Sequence, residues 1–208
     1  MPVLPPVETI ALRLLLVAGG IIAWFASQRL IGRRPFTEAG IGDRLHRLTA
    51  GANRWLRARP AVADKLLIGS SLWIDAVTLF VLGLALLGPS FAPFVGLLGL
   101  FALRQVCQVL VALPPPPGII WRDPGFPSLF VTYAVGNDFF FSGHSALAVF
   151  GAIQLATLCI PALTALGIAM AVFQMVLVIV LRAHWTLDVV AGCLAAALAG
   201  LLCRPGVV

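Results

Sequence analysis

Residues 162–202 read ALTALGIAMAVFQMVLVIVLRAHWTLDVVAGCLAAALAGLL, two long apolar runs joined by the polar stretch RAHWTLD. A helix of roughly 20 apolar residues is long enough to cross the hydrocarbon layer of a membrane. The stretch therefore predicts two membrane helices, at 162–181 and 186–202, with a titratable turn between them. A titratable group at the edge of a membrane span is costly, so such a turn is a candidate functional site.

The composition extends this interpretation to the whole chain. Hydrophobic residues make up 61% of it and charged residues 11%, with a mean hydropathy of +1.04, which excludes an ordinary soluble domain. Further apolar runs lie at 9–31, 66–88, 91–113 and 139–159. The sequence thus predicts an all-α, polytopic membrane protein, a bundle of six transmembrane helices in one domain over 1–208.

The segment 36–64, between the first two runs, has a different pattern. Apolar residues recur there at helical spacing and arginines fall largely on the other side: Leu45, Leu48, Ala52, Trp55 and Leu56 against Arg44, Arg47, Arg54 and Arg57. This predicts an amphipathic helix in the membrane interface, although a solvated loop stays open because Gly51 and Asn53 weaken a helix. The basic residues over 33–65 favour anionic lipids as partners, and no nucleic acid is expected.

Two short runs carry the groups for phosphoryl chemistry. His184 and Asp188 are four residues apart, which places them on one helix face, so the carboxylate can orient the imidazole for attack. His144 would give the proton to the departing oxygen. The predicted catalytic residues are therefore His144, His184 and Asp188.

The same runs suggest how a phosphate would be bound. Ser142 and Gly143 precede a helix whose free N–H groups favour an anion, and arginines can clamp phosphate oxygens. The predicted substrate-binding residues are Arg104, Asp138, Ser142, Gly143 and Arg182. Structural roles stay open for three of them: Ser142 as a helix cap, Arg182 as a charge at a span end, and Arg104 as a packing partner of Asp75 or Asp138.

Residues 114–138 begin with four prolines and cannot form a regular helix, so this segment is the predicted lid. Trp121, Tyr133 and Trp185 are expected to contact lipid headgroups at the interface. The four cysteines lie in or at the end of apolar runs without nearby histidines, so neither a metal nor a cofactor is expected.

Three stretches resemble a known family. GNDFFFSGHS at 136–145 is similar to a Cys-Gly-Asp-x-x-x-Ser-Gly-His-Thr motif, and HWTLDV at 184–189 is similar to a His-Tyr-Thr-x-Asp-Val motif. Arg104, followed by the Leu-Pro-Pro-Pro of 113–116, completes the resemblance to the type 2 phosphatidic acid phosphatase superfamily, sphingomyelin synthase-like branch. The chain departs from the branch at Gly136, where a cysteine is expected.

The resemblance implies a six-helix, metal-independent membrane enzyme that forms a phosphohistidine at His184. The resulting hypothesis is a lipid phosphotransferase that moves a phosphoryl headgroup from a phospholipid to a ceramide-like or diacylglycerol-like alcohol. Two alternatives stay open: a phosphatase of phosphatidate, phosphatidylglycerophosphate or polyprenyl phosphates, and a transporter or scaffold on the same fold. The expected location is a bacterial inner membrane. The resemblance favours an exoplasmic site, whereas the count of basic residues favours a cytoplasmic one.

Overall fold

The protein is described here by a computed structural model, which covers residues 5–33, 42–133 and 139–203. These residues contain eight α-helices and no strand, which confirms the all-α prediction. The helices are α1 Val7–Ile31, α2 Arg44–Leu48, α3 Ala50–Arg57, α4 Pro60–Leu87, α5 Ala92–Leu110, α6 Gly143–Ala156, α7 Pro161–Val180 and α8 Thr186–Leu202.

Four of these helices are long and apolar enough to cross a membrane: α1, α4, α5 and α7. The other two apolar helices, α6 with 14 residues and α8 with 17, are shorter than the roughly 20 residues that a crossing requires. The prediction of six spans is therefore not confirmed, although all six apolar runs are helical. The helices fit a multi-pass membrane protein, whereas the identity of the membrane and the orientation in it stay predictions.

Helix α6 lies at the centre of the bundle, where it packs against α7, α8 and α4. Ala148 and Phe150 on this helix are completely buried. Its first turn is fixed to α8, because the Ser142 amide donates to the Asp188 carbonyl at 3.0 Å. A Cβ at Gly192 would lie 2.6 Å from the Ser142 carbonyl oxygen, so glycine permits this close approach. The two motif-bearing stretches are thereby held side by side.

The predicted interfacial helix is instead two short helices, α2 and α3, and their buried face is not the apolar one. His46, Asn53 and Leu56 point inward, whereas Leu48 and Trp55 are exposed. The Asn53 side-chain amide donates to the carbonyls of Gly118 and Val180, at 3.1 and 2.8 Å. The four arginines of these two helices are exposed, and the two buried polar residues, His46 and Asn53, attach the helices to the bundle because they satisfy backbone carbonyls there.

The proline-rich segment after α5 has no helix over 111–133, as predicted. It is held to the bundle by Asp75 on α4, whose carboxylate accepts hydrogen bonds from the Ser128 hydroxyl and from the amides of Leu129 and Phe130, all at 3.0 Å. Asp75 therefore anchors this segment rather than pairing with Arg104.

Candidate active site

One pocket brings together residues that are distant in the sequence. Polar groups line one part of it, Arg104, Gly143, His144 and His184, together with Gln28 from α1. Apolar and aromatic side chains line the rest, namely Trp24, Ile74, Phe101, Trp121, Phe130, Val131, Phe139, Leu147 and Ala183, beside Thr132. Both predicted catalytic histidines thus face one cavity.

The environment of His184 fixes its tautomer. Its Nδ1 lies 2.9 Å from the carbonyl oxygen of Phe139. Because a carbonyl only accepts hydrogen bonds, Nδ1 carries the proton and Nε2 carries the lone pair. His184 is only 8% exposed, so this lone pair is shielded from solvent. The sequence did not predict that a backbone carbonyl would orient the ring.

Asp188 lies behind His184, but not in hydrogen-bond contact with it. Its Oδ2 is 3.8 Å from His184 Nδ1 and accepts a hydrogen bond from the Trp185 amide at 2.9 Å. The carboxylate is completely buried, and its Oδ1 has no hydrogen-bond partner in the described part of the chain. Asp188 therefore caps the start of α8 while placing a negative charge within ion-pair distance of the imidazole.

The turn between α7 and α8 is held by residues that sequence reasoning missed. Asp43 accepts hydrogen bonds from the Thr186 amide and hydroxyl, at 2.6 and 2.7 Å, and from the His46 amide at 3.0 Å. His46 Nε2 donates to the carbonyl of His184 at 3.0 Å. The sequence signal that could have identified them is the presence of one histidine and one acid in a segment otherwise rich in arginine. These two residues hold the backbone of the turn that carries His184.

Arg182 takes part in this support and does not line the pocket. Its backbone has φ +59°, a conformation that is uncommon for a residue with a side chain. Its guanidinium donates to the carbonyl of His46, and burial lowers the pKa of the group. The structure therefore does not place this predicted phosphate ligand with the histidines.

Arg104, in contrast, lies at the pocket. It is 5% exposed, and its Nε donates to the Phe141 carbonyl at 3.2 Å. A Cβ at Gly143 would lie 3.2 Å from the same nitrogen, so glycine lets the guanidinium approach the start of α6. Phe141 has φ +77°, which presents its carbonyl to the arginine. The predicted grouping of Arg104, Gly143 and His144 is thus present in the structure.

His144 projects from the first turn of α6 into the pocket. Trp121 contacts it edge-on, with 4.9 Å between the ring centroids. Its Nε2 is buried and has no hydrogen-bond partner within residues 5–33, 42–133 and 139–203. A bound substrate can supply that partner.

The remaining predicted site residues take different places. Ser142 is the N-cap of α6, with its Oγ accepting from the Ser145 amide at 3.3 Å. Trp185 is buried and donates to the Pro114 carbonyl at 2.9 Å, away from the pocket. Tyr133 bonds Ser71 at 2.5 Å beside Trp121, and burial raises the pKa of its phenol. Asp138 lies outside the described residues.

No three His, Cys, Asp or Glu side chains of the described ranges lie close enough together to hold a metal ion. The absence of a metal or cofactor stays a prediction.

Comparison with known proteins gives one family. Residues 43–204 match the AtPDCT1/2 family. The matched range makes up about three quarters of the chain and includes every residue that lines the pocket except those on α1. The chain belongs to this family. The AtPDCT1/2 name denotes phosphatidylcholine:diacylglycerol cholinephosphotransferase, so the protein is a membrane lipid headgroup transferase. No curated protein and no solved structure matches the chain.

The match corrects the family suggested by the motifs. The predicted membership of the type 2 phosphatidic acid phosphatase superfamily and its sphingomyelin synthase-like branch is wrong, because the AtPDCT1/2 family is the one that matches. The motifs are short, and any phosphoryl transfer with a histidine nucleophile and an acid calls for similar residue types. The coarser prediction, a membrane enzyme of lipid phosphoester chemistry, is confirmed.

Proposed function

We propose that this protein transfers phosphocholine from phosphatidylcholine to diacylglycerol through a covalent intermediate on His184. The observation that carries the proposal is the common pocket of His144, His184 and Arg104, with the His184 tautomer set by the Phe139 carbonyl. The substrates are those in the name of the AtPDCT1/2 family.

The pocket lining supports a choline headgroup. No carboxylate lines the pocket among the described residues, whereas aromatic faces form one wall. Trp24 lies 5.1 Å from Phe101 and 6.4 Å from Phe130, measured between ring centroids. A quaternary ammonium has no N–H to donate and binds aromatic faces by cation–π attraction. Such a wall beside Arg104 suits a phosphate joined to a trimethylammonium group.

In the first half-reaction, Nε2 of His184 attacks the phosphorus of phosphatidylcholine. The N–P bond forms while the bond from phosphorus to the glycerol oxygen breaks. His144, whose protonated form is stabilised by the anionic phosphate of the bound substrate, gives its proton to that oxygen, and diacylglycerol leaves. Asp188 and the Phe139 carbonyl stabilise the charged imidazole ring, and Arg104 stabilises the phosphate oxygens.

The second half-reaction is the reverse with another diacylglycerol. Its hydroxyl gives the proton to His144 as its oxygen attacks the phosphorus, and the N–P bond breaks with the electron pair returning to Nε2. The enzyme ends in its starting state, and the net change is exchange of the headgroup between two diacylglycerols. Apolar side chains around the histidines disfavour water as a competing acceptor.

The helix pair α2 and α3 suits a role at the lipid surface. Leu48 and Trp55 are 79% and 49% exposed, in a segment that also carries arginines. Apolar side chains can enter the interface while the arginines bind anionic headgroups. Anionic lipids are therefore proposed as partners of this segment.

The test uses purified protein in liposomes with two distinguishable lipids. Phosphatidylcholine carries a labelled headgroup, and diacylglycerol carries acyl chains of a different mass. We expect new phosphatidylcholine that combines the labelled headgroup with the new chains, and no product from His184→Ala. Free phosphocholine as the main product would contradict transfer, and full activity of His184→Ala would contradict the role of this residue.

A further inference from the structure

Helix α1 contributes one polar side chain to the pocket. Most of the helix is exposed, and Gln28 and Val17 are the residues buried on it within the described part. Gln28 is 4% exposed and lines the pocket that contains His144 and His184. The neighbouring polar residues Ser27 and Arg29 are not buried, whereas a buried polar side chain needs a hydrogen-bond partner, so Gln28 is a candidate ligand contact.

The carbonyl end of Gln28 is an unsatisfied acceptor. Its Oε1 is buried and has no hydrogen-bond partner in the part of the chain that the structure describes. Trp24, four residues earlier, lies on the same face of α1, and its indole N–H is also buried without a partner among those residues. The pocket wall formed by α1 thus offers one acceptor and one donor to a ligand.

The chemistry of the proposed substrates decides which of them fits. Phosphatidylcholine has no O–H or N–H, so it cannot donate a hydrogen bond to Gln28. Diacylglycerol has one hydroxyl, which can donate to Gln28 and accept from Trp24 at the same time. We propose that Gln28 and Trp24 form the binding site for the hydroxyl of the acceptor alcohol. This inference rests on the proposed function.

Gln28 and Trp24 line the same pocket as the two histidines. A hydroxyl held by Gln28 and Trp24 lies in the same cavity as both histidines. For transfer, its single O–H turns from Gln28 to His144, which takes the proton while the oxygen attacks phosphorus. Helix α1 lies outside residues 43–204, the part that matches the AtPDCT1/2 family. Recognition of the acceptor is therefore supplied by a helix outside the matched region.

The test measures binding without turnover. Equilibrium binding of diacylglycerol to purified protein is compared with binding of its 3-deoxy analogue, which lacks the hydroxyl. Wild type should prefer diacylglycerol by about a hundredfold, which is about tenfold for each of the two buried hydrogen bonds. Gln28→Leu should lose about tenfold of this preference, because only the hydrogen bond from the Trp24 N–H then remains. Gln28→Met, which keeps an unbranched side chain of similar length, serves if the leucine variant does not fold.

Gln105→Leu is the matched control. Gln105 on α5 is also partly buried with an amide that has no hydrogen-bond partner among the described residues, but it does not line the pocket. Its substitution should leave the preference unchanged. An undiminished preference in a folded Gln28 variant, or a wild type that binds both lipids equally, would overturn the inference. Because no phosphoryl transfer is measured, failure of the proposed reaction would appear separately, in the liposome assay.

Discussion

Replacing Asp188 with asparagine tests how the buried carboxylate assists His184. The asparagine keeps the shape and an oxygen that can accept from the Trp185 amide, so the start of α8 remains capped. The negative charge is lost 3.8 Å from His184 Nδ1. At an effective dielectric constant of about 20, a charge pair at this distance is worth about 4 kcal/mol. Since the imidazole becomes cationic in the proposed attack on phosphorus, we expect turnover to fall about a thousandfold.

The assay is headgroup transfer in liposomes, with thermal unfolding in detergent as the fold control. Asp188→Asn should unfold within a few degrees of wild type, whereas Asp188→Ala, which also loses the cap, should be less stable by about 1 kcal/mol. A folded Asp188→Asn protein that loses less than about tenfold in turnover would refute the electrostatic role. Asp188 would then act only as the cap of α8.

Three further substitutions test parts of the supporting structure. Asp75→Ala removes the acceptor for three donors of the 128–130 segment, so it should lower the free energy of unfolding by about 3 kcal/mol, at about 1 kcal/mol per bond, and speed amide exchange in that segment. Asp64→Asn, the control, breaks the exposed ion pair with Arg122 and should lower the free energy of unfolding by less than about 1 kcal/mol. Equal effects of the two substitutions would contradict the anchoring role of Asp75. Asp43→Ala removes three hydrogen bonds around the turn that carries His184 and should lower both the unfolding temperature and turnover. A fully active variant would contradict the role of Asp43 in holding His184 in position. Ser142→Ala should lower stability by about 1 kcal/mol because the cap of α6 is lost, and it should leave the KM for phosphatidylcholine little changed. A large rise in that KM would instead support a contact between Ser142 and the phosphate.

The positions of the long helices were predictable because each long apolar run in the sequence forms one helix. The run predicted at 186–202 is α8 with the same bounds, and the run at 162–181 is α7 within one residue. The number of membrane crossings was not predictable in the same way. An apolar run predicts burial in lipid or in protein equally well, and α6, the shortest of the six helices, is buried in protein.

His144, His184 and Arg104 could be singled out from the sequence because titratable groups are rare in apolar runs, and the structure places them at one pocket, whereas their roles stay predictions. The contacts that position them were not predictable, since they involve backbone carbonyls such as that of Phe139, which no sequence pattern reports. The position of Arg182 could not be predicted in this way. This cation, two residues before His184, was expected to bind phosphate, whereas tertiary contacts direct it to the carbonyl of His46.

The most direct test of the central claim is to trap the intermediate on His184. The purified protein is mixed with headgroup-labelled phosphatidylcholine in the absence of added diacylglycerol, quenched in base to preserve a phosphoramidate, digested and analysed by mass spectrometry. We predict one phosphocholine group on the peptide that contains His184, its loss when diacylglycerol is added, and no such group in His184→Ala. Label on another residue, or transfer that proceeds in His184→Ala, would contradict the account.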